Sequence, residues 1–157
     1  MTDEDRLGRI ATEIRQEVEQ RRQESNERAA QALVEAERRA RLQSTWRDKV
    51  LLLDPELAAI NEALGGTGGR LEKKVINASE GSRGLGMVEV AMAGLQLRAL
   101  GLKGSAALSE TGDVRLYMGT PMGTEGPKRS VLLDELTSDV WRDWLLDLLE
   151  LQNPGSA

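Results

Sequence analysis

The chain has 157 residues with 26 acidic and 21 basic side chains, a formal net charge of −5, and neither Cys, His nor Phe. Without Cys or His there is no disulfide framework, no thiol nucleophile, no Cys- or His-ligated metal site and no Ser-His triad. Three Trp and one Tyr leave little material for base-stacking or sugar-gripping surfaces.

The opening Met1-Thr2-Asp3-Glu4-Asp5 has neither the basic start nor the apolar run of a secretory signal. No stretch reaches the roughly 18 apolar residues of a spanning helix. These features predict a cytoplasmic protein with no membrane contact. The acidic balance argues against general nucleic-acid binding, which needs a net basic face.

Composition divides the chain. Residues 1–50 hold eleven acidic and eleven basic side chains, one Gly and no Pro; residues 51–157 hold every Pro and the other fifteen Gly. The shift predicts a helical arm over 1–43, a small α+β domain over 44–152 and a disordered tail over 153–157. In the α+β class, the domain carries a β-hairpin or small sheet packed by helices.

Thr2 and Asp5 form a capping-box-like start for the arm. Leu7, Ile10, Ile14 and Val18 follow at spacings of three, four and four, which puts them on one helical face. The stripe fails from Glu19 to Arg28 and resumes as Ala29, Leu33, Ala36 and Ala40. Acid-first pairs at i, i+4 support the helix: Asp5–Arg9, Glu17–Arg21, Glu24–Arg28, Glu35–Arg39 and Glu37–Arg41, each worth about 0.3–0.5 kcal/mol. A helix over residues 3–43 is about 60 Å long, and its narrow seam needs a partner. A coiled coil with a second copy and packing back on the following domain both account for the stripe.

Ser44 or Thr45 is expected to end the arm and cap a short helix bearing Trp46, Val50 and Leu53. Asp54-Pro55-Glu56 reads as a helix start, with Asp54 as the cap, and Gly65 as the stop. Residues 65–70 read as a turn and 71–78 as a strand. Residues 79–86 read as a Gly-rich loop. Leu85, Val88, Met92, Leu95, Ala99 and Leu102 recur at three and four, which predicts a helix over 85–101. Residues 106–118 read as a hairpin, 119–130 as an extended loop and 134–151 as a final helix.

Candidate chemistry is sparse. Gly65-Gly66-Thr67-Gly68-Gly69-Arg70 and Gly81-Ser82-Arg83-Gly84-Leu85-Gly86 lack the strand, helix and Lys-Ser/Thr context of phosphate loops, so turns are the better reading. Glu72-Lys73-Lys74 has the Glu-x-Lys spacing of metal-dependent nucleases, with Asp54 as the only nearby upstream carboxylate. Asp139, Asp143, Asp147 and Glu150 line one helix face but spread along about 12 Å of axis, too far to converge on a metal. Tyr117 lacks the His support of a nucleophilic tyrosine and reads as packing.

These readings predict no cofactor, no metal and no catalytic constellation. The leading expectation is a non-catalytic, self-associating interaction, scaffold or adaptor protein. It forms a homo-oligomer, most simply a dimer, through Leu7, Ile10, Ile14, Val18 and Leu33. On the last helix, Val140, Trp144 and Leu148 are assigned to the core. Trp141, Leu145 and Leu149 are assigned to the interface with an unidentified protein partner. One alternative is a nucleic-acid-binding accessory protein using the arm's Arg residues with Lys73, Lys74 and Arg83. The other is a small phosphate-handling or Mg²⁺-dependent enzyme.

Overall fold

A computed structural model of the chain describes residues 2–77, 84–94, 102–119 and 125–151. The elements run α1 (Asp3–Leu51), α2 (Leu53–Ala63), β1 (Arg70–Asn77), β2 (Gly84–Ala93), β3 (Lys103–Ser109), β4 (Asp113–Gly119), β5 (Arg129–Leu132), a 3-10 turn (Leu133–Glu135) and α3 (Ser138–Leu151). The fold is α+β. The chain divides into two compact units, Met1–Ala40 and Arg41–Ala157.

The first unit is helical throughout its described part. Its start is a reciprocal cap. Asp5 N–H donates to Thr2 Oγ1 at 3.2 Å, and Thr2 N–H donates back to Asp5 Oδ2 at 3.2 Å. These bonds from Thr2 hold the Asp5 carboxyl below its ordinary pKa. Glu17 pairs with Arg21 at 2.7 Å, and Glu35 grips Arg38 with bonds of 2.7 and 3.1 Å.

In the second unit, all five strands join one antiparallel sheet in the order β1-β2-β3-β4-β5. Each strand therefore pairs with its sequence neighbour, as short connections favour. On one face, Val88, Val90 and Met92 of β2, Ala106 and Leu108 of β3, and Val114, Leu116 and Met118 of β4 are buried. The last turns of α1, α2 and α3 supply the opposing layer through Trp46, Val50, Leu53, Leu57, Trp141, Trp144, Leu145 and Leu148.

Three indoles fill the space between the layers. Trp46 and Trp141 have ring centroids 6.3 Å apart, and Trp141 and Trp144 5.5 Å apart, all tilted. Trp141 Nε1–H donates to the Lys49 carbonyl at 2.8 Å. That carbonyl lies in the last turn of α1, where intrahelical donors run out. The rings lie so close to the sheet that two strand positions must lack a side chain. A Cβ at Gly86 would come within 2.5 Å of Trp46 Nε1, and one at Gly104 within 2.7 Å of Trp144 Cζ2.

Several sequence expectations need correction. Ser44 and Thr45 do not end the arm helix; α1 continues to Leu51 because Trp46 and Val50 are buried and no Gly or Pro interrupts. Asp54 is not the cap of α2, which begins at Leu53 after Leu52 with no side-chain cap bond. Residues 85–93 are a strand, not a helix. Their three-four spacing coincides with an alternation at Val88, Val90 and Met92, and the sheet register satisfies the alternation. The expected loop over 119–130 contains the start of β5, which pairs with β4 from Asp113↔Leu132 to Leu116↔Arg129. Leu95 and Ala99 lie outside the described residues, as do the tail residues 153–157.

Two predictions follow from the packing. Gly104→Ala should destabilise the domain by about 1–3 kcal/mol through overpacking against Trp144, read by urea denaturation. The second concerns acid. Arg142 binds Glu56 in a two-pronged ion pair at 3.0 and 3.1 Å, joining α3 to α2 and holding the Glu56 carboxyl below its ordinary 4.5. A depressed carboxyl pKa contributes stability above the unfolded value and loses it as pH falls through the folded one. Glu56→Gln should flatten the acid limb of the stability-versus-pH curve below about pH 4.5 while leaving its neutral-to-alkaline shape unchanged.

Candidate functional site

Two surfaces concentrate side chains that the fold does not use. The first is the arm stripe. Leu7 is 67% exposed, Ile10 45%, Ile14 54%, Val18 52% and Leu33 61%. Leu7 to Val18 span about 16 Å of axis on one face. Arg21 and Arg22, which follow the large residues, pair with Glu17 and Glu19. Those pairs satisfy the cations locally rather than presenting them as a phosphate-binding row.

The second surface is the outer edge of β1. A cavity of about 620 Å³ lies between the last turns of α1 and this strand, lined by Trp46, Arg47, Val50, Leu51, Val75 and Leu85 among others. At the near end of the edge, Asn61 of α2 acts as a substitute strand. Its Oδ1 accepts from Leu71 N–H at 2.7 Å, and its Nδ2 donates to the Leu71 carbonyl at 3.0 Å. Both peptide groups of Leu71 therefore point away from β2.

Lys73 lies on the helix-covered face and pairs with Asp54. Glu72 and Lys74 lie on the opposite face, where Glu72 pairs with Arg70 at 2.7 Å. Asp54 is thus near β1 but on the wrong side of it, and the nuclease-like trio does not assemble. Among the described residues, no group of three or more carboxylates is placed to hold a metal. Asp139, Asp143, Asp147 and Glu150 are all exposed along α3, with Asp139 3.5 Å from Arg142.

The division of α3 into a core line and a contact line is not kept. Trp141 and Leu145, placed by sequence at an interface, are fully buried, as are Trp144 and Leu148 to within 2%. Leu149 and Val140 are half-buried. Both lines fit in the core because the helix layer has a wide sheet to cover and few other aromatic side chains to cover it. Tyr117 lies on the open face of the sheet and is 37% exposed. Of the Gly-rich loops, Gly65 to Gly69 form the α2–β1 turn, Arg70 opens β1, and Gly84 and Gly86 belong to β2. Gly81, Ser82 and Arg83 lie outside the described residues.

The Asn61 clamp and the β1 edge were absent from the sequence reading. An Asn that caps a strand ten residues later has no local pattern. No described helix is long and apolar enough to cross a membrane. Compared with family models, with curated proteins and with solved structures, the chain matches none.

Asn61→Ala should leave the two Leu71 peptide groups without partners and cost about 1–3 kcal/mol, with accelerated amide exchange at Leu71 as its local signature. Unchanged exchange at Leu71 would show that the clamp does not hold the strand.

Proposed function

We propose that the chain is a non-catalytic, cytoplasmic interaction protein that self-associates through its N-terminal helix, most simply as a dimer. The carrying observation is the exposed stripe Leu7, Ile10, Ile14 and Val18 on a unit with no core of its own. A run of large apolar side chains on one exposed helix face is an association surface by default.

The pattern also favours an orientation. Leu7, Val18, Ala29 and Ala40 recur every eleven residues, and Ile14, Ser25 and Ala36 run beside them. An eleven-residue period, about 3.67 residues per turn, matches a slightly right-handed helix pair rather than a left-handed supercoil. Apart from Leu33, the large residues of the stripe occupy the first half and the alanines the second. An antiparallel pair sets Leu7 opposite Ala40 and Val18 opposite Ala29, large against small, and Ile14 opposite Leu33, with Arg22 and Ser25 crossing at the middle. A parallel pair would stack large on large at one end and leave a wide gap at the other.

Light scattering of the intact chain should give a dimer mass, and Ile14→Asp should shift it toward monomer by placing a charge in the seam. A monomer at high micromolar concentration would refute the reading. The chain has no Cys, so introduced pairs report orientation cleanly. The double variant Leu7→Cys with Ala40→Cys should form intermolecular disulfides rapidly, and Leu7→Cys alone slowly; rapid crosslinking of Leu7→Cys alone would establish a parallel pair.

A further inference from the structure

The sheet register fixes which peptide groups of β1 are free. Met92 N–H donates to the Leu102 carbonyl at 3.1 Å, so Met92 faces β3 with its backbone. In an antiparallel ladder, backbone direction alternates along a strand. Ala91, Glu89 and Met87 therefore face β1, and their partners Glu72, Lys74 and Ile76 face back. Leu71, Lys73 and Val75 point outward. Asn61 closes Leu71. The N–H and C=O groups of Lys73 and Val75 meet no backbone partner among the described residues.

This open edge runs along the cavity beneath α1. Leu51 is 61% exposed and Val75 45%, and both line the cavity together with Val50 and Trp46. The lining holds two cations, Arg47 and Lys73, and no carboxylate. Lys73 is neutralised by Asp54. Arg47 donates to the Gln43 carbonyl at 3.4 Å and, like Lys74 on the open face, has no ion pair among the described residues; Glu89, opposite Lys74 in the register, is held by Lys103 at 2.8 Å. In a chain of net charge −5, the edge of β1 is thus a place where cations outnumber their local partners.

We propose that the edge of β1 is a binding site for an extended peptide that joins the sheet as a sixth strand and alternates apolar with acidic residues. Residues of the added strand opposite Lys73 and Val75 exchange main-chain hydrogen bonds with them and turn their side chains into the cavity, where Val50, Leu51 and Val75 select an apolar group. The intervening residues turn to the open face, opposite Lys74 and Ile76, where Lys74 selects a carboxylate. Arg47 adds a second positive charge at the cavity. Asn61 sets the limit: the edge is closed at Leu71, so the site takes about five residues, or about 17 Å of strand. A second copy of β1 suits the edge poorly, because the register centred on the free stretch puts Lys74 opposite Lys74. This site is independent of the arm.

The test uses the full chain and a labelled hexapeptide alternating valine and glutamate, with capped ends, followed by fluorescence anisotropy. Saturable binding is expected, with amide shifts in two-dimensional NMR confined to β1 and the last turns of α1. N-methylating the valines removes the pairing donors and should weaken binding by about ten-fold or more. Lys74→Glu should weaken it similarly and create binding to the valine–lysine peptide. Val75→Pro removes an edge donor without touching the β1–β2 ladder and should abolish binding. If that variant melts early in circular dichroism, the Lys74→Glu charge swap decides. Absence of binding at millimolar peptide, indifference to N-methylation, or shifts confined to Leu7–Val18 would each overturn the proposal. So would conversion of an assembled chain to monomer by Val75→Pro, which would put a second copy on the edge.

Discussion

The indole layer is the constraint on which the Arg41–Ala157 unit depends. Trp46, Trp141 and Trp144 come from the two ends of this unit and meet over the same sheet face. Large aromatic side chains supply much of a small core's burial, but only at fixed distances. The sheet accommodates them by carrying Gly86 and Gly104 directly beneath two of the rings. The Trp141 bond to the Lys49 carbonyl then sets α3 against the end of α1. Trp144 Nε1 is buried with no acceptor among the described residues, so shape rather than polar pairing holds that ring.

Covering one face with helices leaves a definite remainder. An antiparallel sheet tolerates one solvated face, and here that face carries Lys74, Glu89, Lys103 and Arg115, with Lys103 and Glu89 paired across β3 and β2 at 2.8 Å. An edge is harder to leave open, because its peptide groups pair with any strand that approaches. The chain treats its edge unevenly. Asn61 closes Leu71, Lys73 and Lys74 follow two and three residues on, and a cavity opens beside Val75. Lysine on an edge discourages pairing with a like strand while admitting an acidic one, so the same residues exclude and select.

How much was legible from sequence follows from how local each signal is. The arm cap at Thr2 and Asp5, the β3–β4 hairpin and the final helix rest on contacts within a few residues, and the pattern revealed them. The β2 strand failed because Leu85, Val88 and Met92 satisfy a helical spacing as well as an extended one. Only pairing with β1 and β3, which lie outside the stretch itself, breaks that tie. Trp141 and Leu145 were assigned to an interface because a single helix offered too many apolar residues for a narrow stripe. The width of the five-stranded sheet, invisible in the helix itself, absorbs them. Neither Asn61 nor the open edge left a trace, since both are defined by which way backbone groups point.

One helix obeys two regimes, and the boundary between them explains why its apolar residues serve different ends. From Leu42 onward α1 carries side chains that pack on the core, and Trp46 and Val50 are nearly inaccessible. Among the described residues before Ala40 none is buried, yet the helix persists, because Ala, Arg, Glu and Gln dominate and each loses little by being helical. Its reciprocal cap and acid–base pairs add support that needs no tertiary partner. A helix held by propensity, capping and charge does not need Leu7, Ile10, Ile14 and Val18 to fold on themselves. Exposed apolar side chains gain nothing from water, and a solvated face of lysine and glutamate would serve local helicity equally well. Their presence at one face is therefore the feature on which the proposed contact with another helix rests.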